Sequence, residues 1–291
     1  MSWRTDVISN RAKLDLQMGF LVVRGERTTK IHIGEIATLL IESTAVSLTA
    51  SLLAELTKRK VKVIFCDEKR NPSSELVSFY GSHDTSNKIR KQIVWKQQAK
   101  EAIWTEIVAE KIRKQKCLLE IKGKEEEANL LLEYLRELEL NDATNREGHA
   151  AKVYFNALFG MDFTRTADNM INAALNYGYA IILSAFNREV TANGYLTQLG
   201  IFHDNMFNQF NLSSDLMEPF RVLVDWWVLK MTMTGFGHEE KMRIVNLLNH
   251  EIEIDERTQY VSNAIKIYCK SVFDALNEND SSLIRFYKFE L

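Results

Sequence analysis

The 291-residue sequence has few cysteines, few prolines and no long apolar run. Its three cysteines (Cys66, Cys117 and Cys269) are scattered and form no CxxC pair, so neither a disulfide framework nor a cysteine-ligated zinc site is indicated. No apolar run reaches the roughly 18 residues that a membrane span needs, and the N-terminus lacks the apolar core of a signal peptide. We therefore expect a cytoplasmic protein that does not bind a membrane. Having only two prolines permits long helices.

The net charge of −2 does not indicate a polyanionic partner, but the charges are unevenly distributed. Residues 86–124 contain 11 Lys and Arg against 4 Asp and Glu, whereas residues 125–139 contain 6 Glu and one Arg. Residues 140–291 have 13 basic and 19 acidic side chains. Residues 86–124, which we call the basic stripe, indicate that nucleic acid binds one surface. The acidic C-terminal part suits a site that binds a cation. A long solvated helix with a charged face would show the same basic pattern.

The hydrophobic periodicity changes near residue 70. Before it, alternation such as Leu14-Asp15-Leu16-Gln17-Met18 and several β-branched runs predict strands, with one helix near the end of this part. Turn-forming residues then predict a linker. The sequence therefore predicts an α+β fold with a small N-terminal β domain (residues 1–70), a linker (71–87) and a larger, all-helical C-terminal domain (88–291).

The helices predicted for the C-terminal domain are long. Residues 88–122 contain no Pro or Gly and predict a single helix of roughly 50 Å, at about 1.5 Å per residue. Further helices are predicted at residues 125–140, 144–159, 168–191, 214–233, 239–249 and 256–277.

One segment, residues 203–225, combines the residue types of a metal or phosphate site. It places the imidazole of His203 15 residues before the carboxylate of Glu218, with amides between them and Arg221 just after. An imidazole and a carboxylate brought together can hold a divalent metal, while amides and arginine bind phosphate. Each residue also has an ordinary explanation, His203 as a loop residue and Glu218 as a first-turn acid of a helix capped by a serine.

Glu147 is a third candidate with two interpretations. Thr144-Asn145-Arg146-Glu147 has the S/T-x-x-E form of a capping box, in which the Glu147 side chain would accept from the Thr144 amide. Gly148 favours the other interpretation, because glycine in a helical turn costs roughly 0.5–1 kcal/mol relative to alanine and is tolerated where a group must approach the backbone closely. The residues alone leave both interpretations open.

Five segments carry a resemblance to a known family. They read WRTDVISNRAKL, IFCDEKRNPSSELVSFYGSHDTS, NREGHAAKVYFNALFG, NYGYAIILSAFNREV and FHDNMFNQFNLSSDLMEPFRVLVD. They resemble the CRISPR adaptation integrase, the family that inserts new spacers into CRISPR arrays, and its type II-A members most closely. The resemblance covers essentially the whole chain, with less to match in residues 123–140 and after Gly235.

The resemblance implies a metal site of one Glu, one His and one further acid, which fall on Glu147, His203 and Glu218. It therefore favours the metal interpretation of Glu147 over the capping interpretation. Oxygen-rich ligation with one nitrogen suits Mg²⁺ or Mn²⁺. The implied reaction is attack of a DNA 3′-OH on a repeat phosphodiester, and with water as nucleophile the same site is a metal-dependent nuclease. Candidate DNA contacts are Arg146, Asn205, Asn208, Gln209, Arg221, Lys91, Lys96 and Lys100.

The resemblance also implies partners. Beside double-stranded DNA these are a second copy of the chain, joined largely through the β domains, and a small ferredoxin-like partner dimer that bridges two such homodimers. A non-catalytic DNA-binding scaffold of the same fold and a phosphoesterase acting on small molecules are the alternatives. The complete Glu-His-Glu set argues against the scaffold. The basic stripe and the absence of a Gly-rich nucleotide loop argue against the small-molecule enzyme.

Overall fold

The computed structural model describes residues 4–78, 82–231 and 235–289. Within the N-terminal part, the strands and the single helix are β1 (Arg4–Ile8), β2 (Ala12–Gln17), β3 (Phe20–Arg24), β4 (Thr28–His32), β5 (Ile36–Ile41), β6 (Val46–Leu48), α1 (Ala50–Lys58), β7 (Lys62–Cys66) and β8 (Pro72–Leu76). They form two four-stranded sheets with the orders β1-β5-β7-β8 and β4-β3-β2-β6.

The alternating sequence of β2 places one row of side chains in the core between the sheets. Leu14 is fully buried there, and so are Leu21 of β3 and Leu39 of β5. The β2–β3 hairpin turns at Met18 and Gly19, both of which have positive φ, a conformation that glycine adopts without strain. The predicted strands of this part are confirmed. One sheet is mostly parallel and the other contains antiparallel hairpins, and together they form the β part of an α+β fold.

The rest of the chain is mostly helical. Its elements are α2 (Thr85–Ile93), α3 (Gln97–Ile121), α4 (Glu125–Arg136), α5 (Arg146–Phe159), α6 (Met170–Ala192), α7 (Asn211–Met217), α8 (Arg221–Leu229), α9 (His238–Val245), β9 (Glu251–Ile254), β10 (Arg257–Tyr260), α10 (Val261–Glu278) and β11 (Tyr287–Lys288). The predicted α+β class, with strands first and helices after, is confirmed. No helix of the described ranges carries an apolar stretch that could span a membrane.

Four details of the sequence prediction need correction. Residues 88–122 are not one helix, because the chain leaves helical geometry at residues 94–96 between α2 and α3. The segment predicted as linker contains β8, which pairs with β7, and the start of α2, while residues 79–81 lie outside the described part. The predicted helix 214–233 is divided by a 3-10 turn at Glu218–Phe220, and its last two residues are not described.

The fourth correction concerns the helical domain, which also holds a small sheet of order β10-β9-β11. Glu251-Ile252-Glu253-Ile254 alternates between exposed or half-buried and buried side chains, as a strand does. Asp255 and Glu256 both have positive φ and turn the chain into β10, so α10 begins at Val261 rather than at residue 256. A strand of only four residues is too short for its sequence pattern to be distinguished from that of a helix.

Helix α3 is the element around which the site is built. It packs against α4, α5, α8, α10 and the 3-10 turn at Glu218–Phe220. Contacts on several sides bury apolar residues around much of its circumference, among them Trp104, Ile107 and Ile112. The same surroundings bury two of its lysines, Lys111 and Lys114.

Candidate active site

The centre of the site is a lysine held between two carboxylates from distant parts of the chain. Nζ of Lys111, on α3, donates to Oε1 of Glu147 and to Oε2 of Glu218, each at 2.5 Å. The two carboxylates therefore lie within about 5 Å of each other. Glu218 is only 3% exposed, and its second oxygen accepts from Nε of Arg221 at 2.9 Å.

Glu147 can face Lys111 because another residue caps its helix. The amides of Arg146 and Glu147 donate to the two carboxylate oxygens of Asp142, at 2.6 and 3.1 Å. The capping-box interpretation was wrong: the N-terminal cap position is Asn145, and the hydroxyl of Thr144 has no hydrogen-bond partner in the described part. Since Asp142 satisfies the amides of Arg146 and Glu147, the Glu147 side chain is left for the site.

His203 is held by a buried carboxylate that the sequence prediction missed. Asp215, on α7, is fully buried and accepts from the amides of Ile201, Phe202 and His203 at 2.6 to 3.1 Å. It also bonds Nδ1 of the His203 ring at 2.5 Å. Because a carboxylate accepts, Nδ1 carries the proton, and in the neutral ring Nε2 keeps the lone pair that can bind a metal. One signal for Asp215 was available, since it precedes Glu218 by three residues.

The loop before His203 depends on Gly200. A Cβ at this position would lie 2.2 Å from the carbonyl oxygen of His203 and 2.8 Å from Oδ2 of Asp215. Only a residue without a side chain permits this close approach. The His203 ring then packs edge-on against Trp104, with centroids 5.7 Å apart, and Trp104 stacks on Phe202 at 4.5 Å. The ring also interacts electrostatically with Glu218 and Glu147, which places it in the same region as the two glutamates.

The charges in the site shift the pKa values of several of its residues. Burial opposes ionisation of Glu218, but Arg221 and Lys111 outweigh it and hold the pKa of Glu218 at about 2. Burial would lower the pKa of Lys111, yet the carboxylates of Glu218 and Glu147 raise it above its usual value. The hydrogen bond to Asp215 raises the pKa of His203, with smaller contributions from Glu218 and Glu147. Glu218 is therefore ionised and Lys111 charged at neutral pH.

The residue types fit a divalent metal, but they are not arranged around one. No three His, Cys, Asp or Glu side chains in residues 4–78, 82–231 and 235–289 converge as metal ligands. The space between Glu147 and Glu218 already holds a positive charge, the Lys111 ammonium. Two carboxylates that share one cation, with Nε2 of His203 in the same region, form a donor set suited to Mg²⁺ or Mn²⁺.

Several candidate DNA contacts already have protein partners. Arg221 pairs with Glu218, and Arg146 pairs with Glu137 at 3.0 Å. The Asn205 side chain accepts from the Phe207 amide, Asn208 donates to Ser214, and Gln209 is exposed.

The basic stripe is only partly a surface. Lys111 and Lys114 are buried, and Lys114 pairs with Glu110 on its own helix. Lys91 and Lys96 are exposed, as a DNA-binding role requires. Lys100 is half-buried and lines a cleft of 390 Å³ together with His203. The exposed end of the stripe therefore adjoins the candidate site.

Fold and site together define an α+β protein whose helical part holds a charged centre of two carboxylates, a lysine and an anchored histidine. The chain belongs to the family described as CRISPR associated protein Cas1, whose sequence profile matches residues 7–247. The family resemblance drawn from the sequence is thereby confirmed.

Two curated relatives extend over most of the chain. The CRISPR-associated endonuclease Cas1 of Neisseria meningitidis serogroup C (strain 8013) is 34% identical over 264 residues, which cover 88% of this chain and 86% of the relative. The CRISPR-associated endonuclease Cas1 1 of Francisella tularensis subsp. novicida (strain U112) is 26% identical over 281 residues, 87% of each chain.

Solved structures share the fold. A casposase bound to integration product matches with a TM-score of 0.77 and 17% identity, covering 97% of this chain and 93% of its own. A CAS1 protein from Thermotoga maritima matches with a TM-score of 0.72 and 15% identity, covering 94% and 97%. At these identities the likeness concerns the fold alone.

We predict that Asp215→Asn destabilises the protein and releases the His203 ring. The substitution places an amide NH₂ against backbone donors, so the free energy of unfolding should fall by about 2–4 kcal/mol in chemical denaturation. The ¹⁵N shifts of the His203 ring should lose the pattern of a single Nδ1–H tautomer. Asp274→Asn, on the exposed face of α10, is the matched control and should cost no more than about 0.5 kcal/mol. Equal losses, or an unchanged tautomer in Asp215→Asn, would contradict the assignment.

Proposed function

We propose that this chain is a metal-dependent DNA integrase and endonuclease that inserts new spacer DNA into a CRISPR array, as part of adaptive defence against foreign DNA. The observation that carries the proposal is the meeting of Glu147 and Glu218 around one cation, beside His203, in a chain of the Cas1 family. The printed names of the relatives, CRISPR-associated endonucleases, and of the casposase support it. We assign the activity to the cytoplasm.

Glu147, Glu218 and His203 are the proposed metal ligands. The carboxylate oxygens and Nε2 of His203 would hold Mg²⁺ or Mn²⁺. When bound, the metal would polarise the scissile phosphate and stabilise negative charge on the leaving 3′ oxygen. Asp215 keeps the His203 ring oriented by holding Nδ1, and Arg221 keeps Glu218 ionised and in place.

The nucleophile in this proposal comes from the DNA. The 3′-OH of the incoming strand attacks the repeat phosphodiester, so no side chain forms a covalent intermediate. Run in reverse, the site releases DNA from a branched substrate, and with water as nucleophile it hydrolyses DNA. The chain positions the scissile phosphate and stabilises the charge that develops on it. It does so by holding the phosphate beside a preorganised, partly buried set of ionised groups.

The DNA path proposed for the duplex follows the exposed basic residues. Lys91 and Lys96 face solvent, and Lys100 lines the cleft beside His203. Contacts from lysine to phosphate bring affinity with little sequence information. The candidates Asn205 and Gln209 are exposed on the loop after His203, and they extend the same surface.

The proposed division of labour assigns dimerisation to residues 1–70 and catalysis to residues 88–291. Within residues 1–70, edge strands are β1 in one sheet and β4 and β6 in the other. Edges are paired or covered in stable proteins, which is compatible with a homodimer through this part. We also propose that the chain binds a small ferredoxin-like partner dimer, which bridges two homodimers. One structure that shares the fold is titled a Cas6-RT-Cas1–Cas2 complex, with a TM-score of 0.73.

A second candidate function is a non-catalytic DNA-binding scaffold of the same fold. The observation in its favour is that Lys111, rather than a set of three converging ligands, lies between the carboxylates. A scaffold would bind DNA without a divalent metal and would transfer no strand. An assay of strand transfer in Mn²⁺ therefore separates the two functions.

We predict that His203→Ala lowers strand transfer by at least about 100-fold, because the site loses its only proposed nitrogen ligand. The assay joins a duplex with a 3′-OH to a leader-repeat target in Mn²⁺, and EDTA should abolish the reaction. His83→Ala, at an exposed position, is the matched control and should react as the unaltered chain does. Equal activity of His203→Ala would refute the site. DNA binding without any strand transfer would favour the scaffold.

We predict that changing Lys91, Lys96 and Lys100 together to Glu weakens DNA binding and reduces its dependence on salt. Each lost phosphate contact lowers the slope of log K against log salt by about 0.9. The measurement is a fluorescence titration of a DNA duplex at several salt concentrations. The control changes three exposed lysines elsewhere, Lys58, Lys266 and Lys270, to Glu. The same affinity and slope for both triple variants would exclude the proposed path.

A further inference from the structure

Lys111 occupies the place where the two carboxylates meet. Its Nζ lies 2.5 Å from Glu147 and 2.5 Å from Glu218, and the residue is only 8% exposed. A divalent ion shared by these two carboxylates would lie between the same oxygens. An ammonium and a divalent ion between these oxygens would therefore compete for one position.

The four side chains of the ion pairs at this position balance in charge without a metal. Glu147 and Glu218 carry two negative charges, and Lys111 and Arg221 carry two positive charges. A divalent ion added to this set leaves an excess of positive charge in a buried region, which is unfavourable. The phosphate of a bound DNA strand would supply negative charge there. Metal and DNA would then each make the other's binding more favourable.

Lys111 differs in this respect from the other buried lysine of α3. Lys114 pairs with Glu110 on the same helix, and its ammonium lies over the ring of Tyr287 at 4.1 Å from the centroid. Because Glu110 and Tyr287 lie outside the site, the contacts of Lys114 stabilise the fold and do not involve the site carboxylates. Both ion-pair partners of Lys111 are carboxylates of the site, Glu147 and Glu218, from α5 and the 3-10 turn before α8.

We propose that Lys111 is a built-in competitor for the divalent metal, displaced when metal and a DNA phosphate bind together and then paired with that phosphate. The inference rests on the proposed function, because it takes Glu147 and Glu218 as metal ligands. The long, flexible lysine side chain permits the displacement, and its charge is retained throughout. Without DNA the carboxylates stay paired with Lys111, and the chain binds metal weakly. With DNA, metal binding is strengthened.

The test measures Mn²⁺ binding to the full chain from the electron paramagnetic resonance signal of free Mn²⁺, with and without a DNA duplex. For the unaltered chain, DNA should tighten Mn²⁺ binding about 10-fold, within the range usual for coupled sites. Lys111→Met should bind Mn²⁺ about 10-fold more tightly than the unaltered chain when DNA is absent, and DNA should then add little. Lys111→Arg, which keeps the charge, and Lys266→Met, at an exposed position of α10, are the controls and should retain the coupling.

A second readout covers the case in which removal of a buried ammonium harms folding. Lys111→Met and Lys111→Gln leave two carboxylates close together without a cation, so both variants should melt at lower temperature than the unaltered chain. Mn²⁺ should raise their melting temperature by more than it raises that of the unaltered chain, because the ion takes the vacated place. A variant that folds only when Mn²⁺ is added would give the same support.

Three results would overturn the inference. If Lys111→Met binds Mn²⁺ no more tightly than the unaltered chain, while His203→Ala loses binding, Lys111 is not a competitor and the proposed metal site still stands. Weaker binding by Lys111→Met also overturns the inference, because Lys111 would then support the metal. If the folded, unaltered chain binds no Mn²⁺ with or without DNA, both the inference and the proposed function fail.

Discussion

The Lys111 ammonium joins three segments that lie far apart in the chain. It is carried by α3, and it contacts Glu147 at the start of α5 and Glu218 in the turn before α8. Burying these charges is unfavourable unless they are paired, so the ion pairs fix how the three segments approach one another. The packing of α3 against α5 and α8 and the charge balance of the site thus depend on the same contacts.

A second buried carboxylate has a different task. Asp215 accepts from three successive amides and from the His203 ring, which folds the loop from Gly200 onto α7 and selects the ring's tautomer. Glu218 lies one helical turn further along the chain and faces Lys111 and Arg221. Asp215 and Glu218 are three residues apart but have different roles. Asp215 orients the His203 side chain, and Glu218 contributes negative charge to the site. The second acid, Glu218, begins the 3-10 turn that separates α7 from α8.

The sequence was sufficient for features that depend on local patterns. Alternation around Leu14 predicted a strand, and the change of periodicity near residue 70 predicted the α+β class. The family resemblance, carried by segments such as the one around His203, is confirmed. The short strand at Glu251–Ile254 and the break between α2 and α3 were missed, because a few residues without Pro or Gly give no clear signal of a helix end.

Features that depend on tertiary contacts could not be predicted in the same way. Nothing local distinguishes Lys111 from the exposed lysines of the same stripe, since its burial follows from the packing of α3 on several sides. The capping of α5 by Asp142 instead of Thr144 depends on a turn whose residues, Asn141 and Asp142, both have positive φ.

The roles of Glu147, His203 and Glu218 as metal ligands stay a proposal. Anomalous X-ray diffraction from crystals soaked in Mn²⁺ with DNA tests them most directly. We predict a manganese peak bonded to Glu147, Glu218 and Nε2 of His203, with Lys111 moved from between the carboxylates. A peak elsewhere, or no peak with Lys111 still between Glu147 and Glu218, would contradict it.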